Sequence, residues 1–386
     1  MIRRLTLALL AAAPLPALAN DSTAELGTGG LIMSRNDVIY MEKENLRIAE
    51  DGVEVDYVFR NHSDEDITSI VAFPMPDVEG NPWWMPAIPD DSHDNFLGFE
   101  VNIGGKPVQA NLEQRAFAVG IDVTADLAKQ GIPLFPYGED AYLALESLPD
   151  AIAMDWRERG IIMVEQWDDG SGMKSYRSPY WQLKSTYWWE AAFPAKSTVE
   201  VSHRYKPSVG ATAGLTFFYD GKFQGESWEQ YEAKYCIDEP FKRAVLKAAK
   251  ANPDGYPELY ENRISYVLTT GGNWGGGTIG DFTLTIDKGS TKNLVSFCGA
   301  GVKKIGPTTF QMKATDYYPA RDVDVLILKP YDWDDEAASA SRSADVTRPE
   351  TPAERFGKRP AAPNAPEPPA ASSMAPSSGA GDGGQE

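Results

Sequence analysis

The chain has 386 residues and a formal net charge of −20 at neutral pH. Binding to a nucleic-acid backbone requires a basic surface that releases counterions, so this acidic balance excludes nucleic acid as the expected partner. No apolar run is long enough to span a bilayer, which excludes a predicted transmembrane span.

The N-terminus has the pattern of a secretory signal. Arg3 and Arg4 precede a short apolar run, and Ala17 and Ala19 supply the small residues that a signal peptidase site requires. We therefore predict a signal peptide over residues 1–19, with cleavage after Ala19. The mature protein is expected to be periplasmic or secreted.

Residues 20–123 are predicted to form an N-terminal β-sandwich. In "VEVDYVFRN", apolar residues alternate with polar ones, which is the period of a half-buried strand. "ITSIVAFPMP" and "FEVNIGGKPVQANL" follow as further strands separated by turn residues. Short strands at this spacing favour an antiparallel, Ig-like or vault-like sandwich.

Residues 124–162 are predicted to be a helical connector with two short helices. The first, "TADLAKQG", begins with Thr124 as N-cap and ends at Gly131. The second, "LPDAIAMDWRERG", has Pro149 near its first turn and Gly160 at its C-terminal end.

A second β-sandwich is predicted over residues 163–332. "STVEVSHRY" alternates like a strand, and a helical insertion over residues 226–262 begins with Asp238 as N-cap of "DEPFKRAVLKAAKANP". No βαβ alternation occurs, so a doubly wound parallel sheet is disfavoured. Residues 333–386 are rich in Ala, Pro, Ser and Gly and are predicted to be a disordered tail.

The two cysteines, Cys236 and Cys298, are predicted to form a disulfide, because exported proteins fold in an oxidising compartment. The bond would close a loop of about 60 residues and stabilise the fold by roughly 4 kcal/mol. A reactive or metal-binding thiol lacks support, since there is no C-x-x-C motif and no nearby His.

Several segments resemble one known family. The mature start, "YVFRNHSDEDITSIVAFPMP", "FPAKSTVEVSHRYKPSVG", "YCIDEP" and "ISYVLTTGGNWGGGTIGDFTLTID" resemble the bacterial exported domain-of-unknown-function family 4424. The resemblance extends to about Pro330 and implies an envelope protein with no assigned catalytic residues. "FEVNIGGKPVQANLEQRAFA" also looks like the edge of a vault-type sandwich domain, which implies only a β-sandwich.

One glycine-rich segment contains the G-x-G-x-x-G spacing of a dinucleotide site, at Gly275, Gly277 and Gly280. That site requires a helix after the last glycine, whereas "DFTLTID" alternates like a strand. We therefore predict two antiparallel strands joined by a long flexible loop, in which the glycines provide positive φ or close backbone approach. No cofactor is predicted.

The histidines and acidic clusters give little support for a metal site. His203 shares a strand face with Val201 and Tyr205, and we expect it to be buried with hydrogen-bond partners. No zinc-ligand spacing occurs. A weak calcium candidate is the acidic turn that contains Asp90, Asp91 and Asp94.

Tryptophans are the candidate ligand or partner surface, because their rings stack on sugars and anchor apolar partners. Adjacent tryptophans on a strand point to opposite faces, so one of each pair is expected to be buried. The candidates are Trp83, Trp84, Trp188, Trp189 and Trp274.

No catalytic motif is present, so no catalytic residue is predicted and an enzymatic role is disfavoured. The favoured hypothesis is a non-enzymatic envelope protein that binds or scaffolds another envelope protein. The alternative is a periplasmic protein that binds or cleaves glycan through its tryptophan-rich loops.

Overall fold

The computed structural model describes residues 21–27, 30–82, 88–90, 94–168, 172–225 and 228–331. The predicted signal peptide and tail therefore lie outside the described residues. The described part is mainly β-structure, as the sequence predicted.

The strands, in chain order, are β1 Ser22–Gly27, β2 Gly30–Ser34, β3 Ile39–Ala49, β4 Gly52–Asn61, β5 Ile67–Pro74, β6 Val78–Glu79, β7 Glu100–Ile103, β8 Lys106–Val108, β9 Asn111–Ala118, β10 Ile121–Asp122, β11 Ile162–Asp168, β12 Met173–Pro179, β13 Gln182–Phe193, β14 Thr198–Tyr205, β15 Gly210–Thr212, β16 Phe218–Tyr219, β17 Lys222–Phe223, β18 Leu259–Tyr266, β19 Ile279–Asp287, β20 Leu294–Phe297, β21 Lys303–Lys304, β22 Thr309–Tyr317 and β23 Val323–Pro330. The α-helices are α1 Thr124–Lys129, α2 Glu139–Glu146, α3 Asp150–Glu158, α4 Trp228–Tyr235 and α5 Glu239–Ala251. Two 3₁₀ turns occupy Thr269–Asn273 and Gly275–Gly277.

Most strands belong to three sheets. The seven-stranded sheet has the order β10-β9-β13-β5-β1-β2, with β6 also paired to β13. The eight-stranded sheet has the order β21-β22-β19-β3-β4-β14-β7-β8, and the four-stranded sheet has the order β15-β18-β23-β20. The hairpins β11-β12 and β16-β17 form two small additional sheets.

The two predicted sandwiches, residues 20–123 and 163–332, share their sheets. In the seven-stranded sheet, β13 lies between β9 and β5, and in the eight-stranded sheet, β14 lies between β4 and β7. Strand β19 also pairs with β3, and this pairing is parallel in an otherwise antiparallel sheet. The described residues therefore form one compact unit rather than two sandwiches joined by a connector.

One large core lies where the three sheets meet. It contains side chains from the eight-stranded sheet (Tyr57, Phe59), the seven-stranded sheet (Phe73, Trp189) and the four-stranded sheet (Tyr266). A second core packs α1, α2 and α3 against β9 and β11, and a third packs α4 and α5 against β18 and β23.

A β-bulge in β3 decides which of its side chains face the main core. Met41 is buried, but the pairing with β4 shifts between Met41 and Lys43, so Glu44 rather than Lys43 points inward. The neighbouring strand leaves room for this bulge at Gly280, where a Cβ atom would lie 2.6 Å from the Glu42 carbonyl oxygen. The bulge therefore places a carboxylate in the core.

The helical segments agree in part with the sequence analysis. The predicted Thr124 N-cap is wrong: Val123 is the cap residue, and the Thr124 hydroxyl accepts a hydrogen bond from the Ala116 N–H instead. Helix α2 was not predicted. Asp238 does cap α5, since its carboxylate accepts from the Phe241 N–H at 2.9 Å.

None of the described helices is long and apolar enough to cross a membrane.

Candidate functional site

The glycine-rich segment crosses from one sheet to another. Strand β18 before it pairs in the four-stranded sheet, whereas β19 after it pairs in the eight-stranded sheet, so the predicted antiparallel pairing of these two strands is wrong. Gly276 and Gly277 have positive φ, and a Cβ atom at Gly275 would lie 2.7 Å from the Tyr40 ring. The glycines therefore serve the predicted purposes of positive φ and close approach.

Trp274 lies inside the main core. Its side chain is 1% exposed, and its ring packs against Phe59 with centroids 4.4 Å apart. The indole N–H donates a hydrogen bond to the Asp21 carbonyl oxygen at 2.7 Å. This hydrogen bond links the segment between β18 and β19 to the first residues of the described chain.

Six buried polar side chains surround this point, and we call them the junction cluster. The Tyr57 and Tyr266 hydroxyls are 3.0 Å apart, and His203 Nε2 lies 3.6 Å from Asp21 Oδ1. The members of the junction cluster are Asp21, Glu44, Tyr57, His203, Tyr205 and Tyr266.

Burial controls the ionisation of the junction cluster. It raises the pKa of the Asp21 carboxyl well above its usual value, and the nearby Glu44 charge raises it further. Burial also raises the pKa values of Tyr57 and Tyr266, so both phenols stay protonated at neutral pH. The pKa of His203 is lowered by burial to about 3, and its imidazole is neutral at pH 7.

His203 is buried, as predicted, but its environment is aromatic. The rings of Phe73, Phe99 and Trp189 lie with centroids 5.0–5.2 Å from the imidazole. Within the described residues, neither imidazole nitrogen has a hydrogen-bond partner, and the same holds for the Tyr205 hydroxyl. Such groups are rare in native cores and usually indicate a further polar partner.

An open cleft of about 520 Å³ lies at one end of the eight-stranded sheet, and we call it the charged cleft. It combines three cations and four carboxylates with an apolar floor of Phe96, Leu97 and Tyr205. Two rim pairs are preformed: Arg47–Asp51 at 3.4 Å and Arg204–Glu54 at 3.3 Å. The lining residues are Arg47, Asp51, Gly52, Glu54, Pro89, Asp90, Asn95, Phe96, Leu97, Gly98, Glu100, Arg204, Tyr205 and Lys206.

One wall of the charged cleft is a hydrogen-bonded loop. Asn95 Oδ1 accepts from the Phe99 N–H at 2.8 Å and from the Tyr187 hydroxyl at 2.6 Å, and Nδ2 donates to the Phe99 carbonyl. The Lys206 N–H donates to the Leu97 carbonyl at 2.9 Å, which ties the loop to the end of β14. This wall of the charged cleft is therefore held in place by hydrogen bonds within the protein.

Tyr205 belongs to both features. Its ring lines the charged cleft, its hydroxyl is buried, and it influences the ionisation of Tyr266 in the junction cluster. The junction cluster itself is closed to solvent, so it offers no access to a substrate.

The structure removes two tryptophans from the candidate surface. Trp189 and Trp274 are each 1% exposed, because alternation on β13 and the crossover turn both direct them into the core. Trp188 is half-buried, on the opposite face of β13 from Trp189. Trp83 and Trp84 lie outside the described residues.

The acidic turn and the cysteines are also located. Asp90 and Asp94 are exposed, Asp90 lines the charged cleft, and Asp91 lies outside the described residues. Within the described ranges, no three His, Cys, Asp or Glu side chains come together as a metal site. Cys236 and Cys298 are joined by a disulfide, which links the end of α4 to the residue after β20.

Sequence reasoning did not identify Arg204 and Lys206. The signal was present, because "RYK" alternates two cations with an apolar residue at the end of a predicted strand. Charged side chains at a strand end are usually solvated, and only the loop over residues 94–99 turns them into the wall of a cleft.

These features define a mainly β protein with a three-sheet core and a peripheral charged cleft. The chain belongs to the family described as domain of unknown function (DUF4424), which matches residues 19–326. No curated protein matches it.

The solved structures that match this chain have low sequence identity to it and low TM-scores. A proposed nutrient-binding protein from Legionella pneumophila has 14% identity and a TM-score of 0.38, covering 81% of this chain and 71% of its own. An M1 zinc metallopeptidase from Deinococcus radiodurans has 7% identity and a TM-score of 0.20, covering 76% of this chain and 43% of its own. These TM-scores are too low to support a functional argument.

Proposed function

We propose that the protein is an exported, non-enzymatic binding protein that takes a charged peptide segment of another envelope protein in the charged cleft. The observation that carries this proposal is the composition of the cleft, in which cations and carboxylates surround an apolar floor. A peptide with charges of both signs and one apolar side chain would complement that surface.

Electrostatics supports a peptide more than a simple anion or cation. Arg47 and Arg204 are each partly neutralised by a carboxylate partner, so neither offers an unopposed charge to a small ion. A peptide can exchange such pairs for its own, and the association should weaken with added salt.

A second groove, of about 500 Å³, lies beside β3, β19 and β22, and is the weaker candidate. It is lined by strand residues such as Lys43, Asp281 and Thr283, without a loop wall. Binding residues more often lie on loops held by a rigid scaffold, as in the charged cleft.

Site-specific photocrosslinking in the native envelope tests the proposal. A photoreactive residue at Lys206 should give one discrete protein adduct, and Arg204→Glu should reduce it at least about tenfold, as loss of a charge pair does. The same photoreactive residue at Lys247, on the exposed face of α5, is the control and should not give that adduct.

Identical adducts at both positions, or an adduct unaffected by Arg204→Glu, would contradict the proposal. Glycan binding that is lost in Trp188→Ala, with no protein adduct at Lys206, would favour the carbohydrate alternative instead.

A further inference from the structure

The second groove lies on the outer face of the eight-stranded sheet, where β22, β19 and β3 run side by side. Phe282 and Glu44 in these strands point inward and are buried, so the residues that alternate with them face outward. The polar side chains that line the groove are Lys43, Asn45, Asp281, Thr283, Lys313 and Thr315.

The strand register places two lysines diagonally across the middle strand. Lys313 lies beside Thr283, and Thr283 lies beside Asn45. In the next row of the sheet, Lys43 lies beside Asp281. Strand and residue spacings put the Cα atoms of the two lysines about 12 Å apart, so both long side chains can bring their ammonium groups over Thr283.

The bulge in β3 leaves Lys43 pointing outward, next to an acid that has other partners. The Glu42 carboxylate lies 3.6 Å from Arg60 Nε and 3.8 Å from His62 Nε2. Within the described residues, neither Lys43 nor Lys313 forms an ion pair. Their ammonium groups are therefore available to an anion, although the whole chain is strongly acidic.

Neutral donors beside the lysines add to this anion site. The Thr283 and Thr315 hydroxyls and the Asn45 amide can each donate a hydrogen bond. A phosphate monoester carries about 1.5 to 2 negative charges at pH 7 and has three acceptor oxygens, and lysine is a common phosphate ligand. Such an anion suits the groove better than a carboxylate, because its larger charge outweighs repulsion by Asp281.

We propose that the second groove binds a phosphorylated sugar. Lys43, Lys313 and Thr283 hold the phosphate group over β19. Asp281 accepts a hydrogen bond from a sugar hydroxyl, and its charge repels an anion that has no hydroxyl to donate. This site is separate from the charged cleft and does not depend on the peptide proposed there.

Calorimetry of the full chain with glucose 6-phosphate at low salt tests the proposal. Lys43→Met and Lys313→Met should each weaken binding at least about tenfold, because each removes a charged hydrogen-bond donor. Lys313→Arg keeps the charge and should retain most of the affinity. Lys247→Met, on the exposed face of α5, is the matched control and should bind as the wild type does.

Two further probes separate the roles of the phosphate and the sugar. Glucose 6-sulfate carries a single negative charge and should bind more weakly than glucose 6-phosphate. Inorganic phosphate should also bind more weakly, and Asp281→Asn should reduce its disadvantage, because the repulsion of the anion is removed.

Vesicles of phosphatidylcholine, with and without monophosphoryl lipid A, distinguish a soluble sugar phosphate from a lipid-anchored one. Binding to glucose 6-phosphate or to the phosphorylated vesicles that is weakened in both lysine-to-methionine variants of the groove supports the proposal and identifies the source.

The proposal would be overturned by no binding of either probe, by binding that Lys43→Met and Lys313→Met both retain, or by an equal loss in Lys247→Met. Inorganic phosphate that binds at least as tightly as glucose 6-phosphate would also overturn it.

Discussion

His203 shows how one buried residue can lower the stability of the fold at acidic pH. Its pKa is lowered to about 3 by burial among aromatic rings, whereas the unfolded imidazole titrates near 6.5. The folded pKa is the lower one, so the stabilising contribution is present above pH 6.5 and is lost as pH falls towards 3. Below that range the contribution has been lost.

Replacing His203 with Phe should remove this sensitivity. The phenyl ring keeps the packing against Phe73 and Phe99 and has no proton to bind. The free energy of unfolding of the wild type should fall relative to the variant by up to about 4–5 kcal/mol between pH 7 and pH 3. Urea unfolding at several pH values measures this difference.

Asp21 also affects how the free energy of unfolding depends on pH, so the wild type must be compared with the His203→Phe variant. Its raised pKa gives a contribution of the opposite sign, present at low pH and lost as pH rises through the folded value. Because His203 Nε2 lies 3.6 Å from Asp21 Oδ1, the comparison is made in an Asp21→Asn background, which removes that contribution from both proteins. The exposed His62, changed to Phe, is the matched control, and an equal effect there would contradict the role of burial.

At the scale of elements, the bulge in β3 explains why an acid is in the core. It needs a neighbour without a side chain at Gly280, because the Cβ atom of any other residue would come too close to the Glu42 carbonyl oxygen. The absence of a side chain at Gly280 therefore permits the bulge that places Glu44 in the junction cluster.

Gly280→Ala should destabilise the protein by about 2–4 kcal/mol, because the backbone of β3 or β19 must move. Gly210→Ala is the control, since its Cβ would meet Arg263 at an ordinary 3.6 Å or more. Thermal unfolding of both variants measures the difference. Equal losses would show that close packing at Gly280 is not the cause.

The disulfide links the helical insertion to the rest of the fold. Cys236 follows α4, Cys298 follows β20, and the two are 62 positions apart. The double change Cys236→Ser/Cys298→Ser should cost about 4 kcal/mol by loop entropy. Chemical unfolding with and without reductant measures this: reductant should weaken the wild type and leave the double variant unchanged, and an unaffected wild type would contradict the expectation.

Local patterns predicted much of the element content but not its pairing. Alternation identified β4, β14 and β19, and capping residues identified α5. The parallel contact of β3 with β19 joins distant parts of the chain, and no local pattern encodes it. Trp274 illustrates the limit: its glycines were interpreted correctly, yet its burial depends on which sheets flank the turn.

At the scale of the whole molecule, shared sheets make the described residues one unit. Removal of residues 163–331 would leave β4 and β5 without their partners β14 and β13. A fragment of residues 20–123 should therefore lack cooperative thermal unfolding and near-ultraviolet circular dichroism. A cooperative transition in that fragment would indicate an independent N-terminal sandwich.

The charged cleft is the other property of the whole molecule, because β3, β4, β14 and the loop over residues 94–99 all contribute to it. The residues that line the charged cleft come from both predicted sandwiches, so neither sandwich alone could form the cleft. Its ligand recognition therefore depends on the integrity of the three-sheet body.

The most direct test of the proposed function is the affinity of the protein for the peptide segment captured at Lys206, measured by calorimetry at two salt concentrations. Binding should weaken with added salt, fall at least about tenfold in Arg204→Glu and remain unchanged in Lys247→Glu. Affinity that is independent of salt and equal in the three proteins would contradict it.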